Sequence, residues 1–89
     1  RRLSRTIDGF RRDHPDGCTR DRANTMLKEV ESVAGETGHG DALRHQVSSI
    51  RRDFKLTTEP LTPVPEFAAF EERLAALEYV ERLANRGEL

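Results

Sequence analysis

The sequence predicts an all-α domain, an irregular bundle of about four helices with an extended proline-rich strap before a long C-terminal helix. Three observations lead there. Large apolar residues fall in four clusters at helical spacing: Leu3, Ile7, Phe10; Met26, Leu27, Val30, Val33; Leu43, Val47, Ile50, Phe54; and Phe67, Phe70, Leu74, Leu77, Val80, Leu83. Capping residues and glycines punctuate the intervals between clusters. Pro60, Pro63 and Pro65 interrupt the pattern ahead of the last cluster, where they forbid a helix interior and disfavour a paired strand.

Leu3, Ile7 and Phe10 make one stripe of a short first helix, weakened by Gly9. His14-Pro15-Asp16-Gly17 reads as a turn with proline at its second position. Thr19 is placed to cap a second helix over 20–34, with Asp21 in its first turn and Gly35 where a C-terminal glycine belongs. Gly35 to Gly40 reads as a flexible loop, and Asp41 as the cap of a third helix bearing Leu43, Val47, Ile50 and Phe54. Residues 57–65 are expected to run extended, near polyproline II, with Leu61 and Val64 docked on a surface. Pro65 suits the first position of a final helix over 66–86, about 30 Å long. Leu27, Val30, Val47, Ile50, Leu74 and Leu77 are expected to meet in one core.

Eighty-nine residues make at most one domain, 1–89. The chain lacks an initial methionine and ends just past a helix, so we expect a fragment of a longer protein. Its net charge of −1 speaks against a dedicated nucleic-acid or membrane-surface protein. The charges are unevenly placed, with eight Arg/Lys against four Asp in residues 1–28, and three Arg against six Glu in 61–89. Such asymmetry suits either a basic binding face or two halves that attract each other. Arginine outnumbers lysine thirteen to two, without a sharp motif around any cluster. The single cysteine, Cys18, excludes an intrachain disulfide. No apolar run approaches the ~20 residues of a membrane span, and no signal peptide is apparent. A cytoplasmic protein without a membrane partner is expected.

Four constellations of side chains could carry chemistry or binding. His14, Cys18, His39 and His45 fall in two pairs whose spacing matches no standard zinc site, so no metal and no cofactor are expected. Cys18 stands just ahead of a helix N-terminus, a setting that can activate a thiol, but no second member of a catalytic set accompanies it, and no enzyme is predicted. The third helix carries Arg44, His45, Ser48, Arg51, Arg52 and Lys55 opposite its apolar face, a fair donor set for nucleic acid. The interval from Gly35 to Gly40 exceeds the usual helix-turn-helix connection, and the prolines leave no place for a wing. The final helix has apolar residues over more than one stripe, with Phe67, Phe70, Tyr79 and Leu83 as candidate interface residues.

The reading that follows is a non-enzymatic helical interaction or assembly module of a larger protein. Its partner is another protein chain or a neighbouring domain, most simply a second copy in a symmetric dimer. A helix-turn-helix-like nucleic-acid binder, using the helix around residues 42–55, is the alternative.

Overall fold

Thr19 shows how directly local chemistry sets the elements. Its hydroxyl accepts the Arg22 N–H at 3.2 Å and its carbonyl accepts that of Ala23 at 3.1 Å, so the second helix starts at the expected capping residue. The computed structural model describes residues 2–36, 38 and 40–87. They form four helices, α1 (Arg2–Asp13), α2 (Arg20–Glu36), α3 (Gly40–Asp53) and α4 (Phe67–Asn85), and no strand occurs among the described residues. α1 packs on α2, α2 on α3, α3 on α4, and α4 returns against α1. The ring of four closes around one core, with a radius of gyration of 12.4 Å, close to the ~12 Å of a compact chain this long.

The six expected core residues, Leu27, Val30, Val47, Ile50, Leu74 and Leu77, are fully buried in a single cluster with Leu3, Ile7 and Phe10 of α1. At one end of the bundle Phe70 is an aromatic hub. Its ring meets Phe10 of α1 edge-on at 6.1 Å, Phe54 beyond α3 edge-on at 5.4 Å, and Phe67 in a stacked pair at 5.8 Å, all within the range in which aromatic pairs attract.

Arginine closes every seam. Arg11 of α1 reaches Glu78 of α4 at 3.3 Å; Arg51 of α3 holds Asn24 and Glu31 of α2, both at 2.6 Å; Arg73 of α4 holds Asp53 and Ser49 of α3, both at 2.9 Å. Arg22 of α2 lies over the Phe10 ring of α1, 5.7 Å from its centroid. Each reach needs a long side chain, and most need a fork or a flat face, which lysine lacks.

Four boundaries differ from the sequence reading. α2 runs past Gly35 to Glu36, and the left-handed residue is Gly38 (φ 82°), which donates to the Gly35 carbonyl. α3 begins at Gly40, so Asp41 is not its cap but lies in the first turn, paired with Arg44 at 3.4 Å. The expected loop thus shrinks to a short connection, of which positions 37 and 39 lie outside the described residues. Pro65 is not the first residue of α4, because Glu66 adopts a left-handed conformation (φ 51°, ψ 57°) and the helix starts at Phe67. Finally, residues 54–66 do not run extended. Turns closed by Thr58 N–H to the Lys55 carbonyl and Thr62 N–H to the Glu59 carbonyl gather them, and each threonine hydroxyl bonds back to the same carbonyl. Threonine back-bonding of this kind overrides the extended bias of the prolines. Only 62–64 lies along 18–20, through Val64 N–H to the Cys18 carbonyl and Arg20 N–H to the Thr62 carbonyl.

Candidate functional site

α4 carries two stripes on opposite sides. Phe70, Leu74, Leu77 and Glu81 are buried, spaced 4, 3 and 4 residues along the face turned to the core. Ala68, Glu72, Ala75, Tyr79 and Arg82 are all exposed, spaced 4, 3, 4 and 3. At 100° per residue the second stripe lies diametrically across the helix from the first.

The proposed interface residues divide between these faces. Phe70 is completely buried as the aromatic hub and is withdrawn from any surface, because Phe10, Phe54 and Phe67 surround it. Phe67 is half-buried and packs on the core. Tyr79, 54% exposed, is the one large apolar side chain of the outer stripe. Leu83, half-buried one turn further on, flanks it. The sequence already held the outer stripe, since its 4-3-4-3 spacing can be read directly. It was obscured because Ala68 and Ala75 are small and Glu72 and Arg82 charged, so only Tyr79 registered as apolar.

A second apolar feature was misjudged. Leu61 is 84% exposed, not docked, because it sits at the outer corner of the Glu59–Thr62 turn while Val64 alone is buried. The turn is held firmly. The Arg20 guanidinium, well buried, donates to the Phe54 carbonyl, to Glu59 and to Thr62 Oγ1, the last at 2.6 Å. The Pro60 carbonyl accepts the Asp21 N–H at 2.9 Å. These bonds occupy the free N–H groups at the start of α2 and fix Leu61 in solvent.

On α3, the candidate nucleic-acid residues do not form one free basic stripe. Arg51 is turned toward α2 and engaged by Asn24 and Glu31, which removes it from the surface set. Arg44, His45, Ser48, Arg52 and Lys55 are exposed. Acidic groups lie among them: Asp41 pairs with Arg44, and Asp53 sits beside Arg52 at 3.6 Å while also bound by Arg73. The Arg73 hydrogen bond holds the Asp53 carboxyl below its usual range, outweighing the small loss of hydration. Between α3 and α4 it is α3 that supplies the carboxylate, Asp53, and α4 the arginine, Arg73.

The His14 ring lies tilted against the Phe10 ring, 5.1 Å between centroids, and His45 is exposed on α3; His39 lies outside the described residues. Cys18 is half-buried, and burial pushes its thiol up, more than the Arg22 charge and the Ala23 N–H pull it down. That is the direction opposite to activation. Among the described residues no group of His, Cys, Asp and Glu is arranged to hold a metal ion, and no pocket forms. Among the described residues no helix is long and apolar enough to cross a membrane. No protein family matches the chain, nor does any curated protein or solved structure.

Proposed function

We propose that this domain is a non-enzymatic interaction or assembly module of a larger protein, working in the cytoplasm without a cofactor. Its partner is another protein chain or a neighbouring domain, met by the outer face of α4. The observation that carries this reading is Tyr79. The core is closed without it, every seam is already bridged, and still a large aromatic side chain stands 54% exposed on the outer face of α4. Aromatic residues in that position are enriched at protein interfaces, where a rigid ring contributes contact area at low entropic cost. The clamped turn bearing Leu61 is a second presented apolar point, and a fixed loop loses little freedom on binding.

The test is site-specific photo-crosslinking in cells making the chain, with Tyr79→benzoylphenylalanine and, separately, Ser48→benzoylphenylalanine. A protein adduct from position 79 and none from position 48 is the expected result. A nucleic-acid adduct from position 48, with nothing from 79, would replace this reading with a nucleic-acid one on α3.

A further inference from the structure

We propose that the outer face of α4 pairs with the same face of a second copy, antiparallel, about a two-fold axis level with Leu77. The inference rests on the interaction reading above and names its partner. An isologous contact requires a surface complementary to itself after a half-turn, and this stripe has that property. With the axis level with residue 77, Tyr79 of one copy faces Ala75 of the other, and Glu72 faces Arg82. Each pairing occurs twice. Ala75 is exposed and its small side chain leaves room for a tyrosine ring to pack over it. Glu72 and Arg82 are exposed and form no ion pair among the described residues, so both are available to a partner.

The alternatives fit less well. A parallel arrangement sets Tyr79 on Tyr79, Glu72 on Glu72 and Arg82 on Arg82, so that like charges oppose. A different partner protein would place no symmetry requirement on the stripe, and the match about residue 77 would have no cause. The 4-3-4-3 spacing is also that of a helix seam with a period of 3.5 residues, the repeat of left-handed helix pairs crossing near 20°. Ala76 and Leu83, half-buried beside Tyr79, widen the apolar strip on the side toward α3.

Sedimentation equilibrium and cross-linking of the purified chain test this. The wild type should dimerise at tens of micromolar. Glu72→Arg sets arginine against arginine twice and should weaken dimerisation about tenfold or more, and Glu72→Arg with Arg82→Glu should restore it. In a Cys18→Ser background, mixed Ala75→Cys and Tyr79→Cys chains should form the 75–79 disulfide in preference to 75–75 or 79–79. A strictly monomeric wild type, or a dimer with the 79–79 disulfide preferred and no charge-swap rescue, overturns the pairing. A photo-adduct from position 79 carrying a different protein would then leave the interaction reading standing without it.

Discussion

Arg51 illustrates what single residues contribute here. Its Nε donates to Asn24 and its Nη2 meets Glu31, so one planar side chain satisfies two groups on the neighbouring helix. Lysine has the charge but not the fork. Arg51→Lys should therefore lose most of what Arg51→Ala loses, about 1–2 kcal/mol for a partly exposed pair of charge-assisted bonds, measured by urea unfolding. Full stability in the lysine variant would show that charge alone matters. Asp53 adds a pH dependence. Its carboxyl is held below the usual range, first by the Arg73 hydrogen bond, so its stabilising effect is present above pH ~4 and disappears as pH falls through the lower native value. Asp53→Asn should thus be less stable than wild type at pH 6 and approach it on acidification. A gap that stays constant with pH would place the effect elsewhere. The excess of arginine over lysine is visible in the sequence, but its use at the seams is not, because the partners lie on other helices.

At the scale of elements, the start of α2 is legible in the sequence, while the starts of α3 and α4 and the stops of α2 and α3 are displaced by one or two residues. Thr19 declares itself by type and position, and Thr19→Ala should cost about 1 kcal/mol. α3 has no glycine at its end, and it stops at Asp53, short of the expected residue 55. The stop is made by Lys55 in the left-handed region (φ 53°), with Leu56 N–H bonded to the Arg51 carbonyl, Lys55 N–H to the Arg52 carbonyl, and Leu56 buried. This is a Schellman ending with lysine where glycine is preferred. Lys55→Gly should raise stability by about 0.5–1 kcal/mol, read as a shift in the urea midpoint. A loss would mean that the Lys55 side chain does something its exposure does not reveal. Gly35 misled in the opposite sense, since a glycine marks where a left-handed residue is cheap, not where one is used. Pro65 misled because its fixed φ suits both a helix start and the residue before one. The turns of 54–66 depend on threonine hydroxyls finding carbonyls three residues back, which composition does not announce.

For the whole molecule, periodicity placed the core well. Leu27, Val30, Val47, Ile50, Leu74 and Leu77 all came together because apolar stripes at helical spacing have only one way to avoid water in a chain this short. It served the surface less well, since an aromatic residue at helical spacing can join either side. Helical spacing marks Phe70 and Tyr79 alike as interface candidates, yet Phe70 anchors the core and Tyr79 lies across the helix from it. α4 thus has two unlike faces, its inner stripe holding the fold and its outer stripe exposed and proposed to meet a partner. The most direct test compares Leu77→Ala with Tyr79→Ala in thermal unfolding, at a concentration low enough to keep the chain monomeric. Leu77→Ala should cost about 2–5 kcal/mol, a fall of about 8 °C or more at roughly 4–8 °C per kcal/mol. Tyr79→Ala should stay within about 0.5 kcal/mol of wild type. Equal losses from the two would show that Tyr79 serves the fold, and would contradict the division.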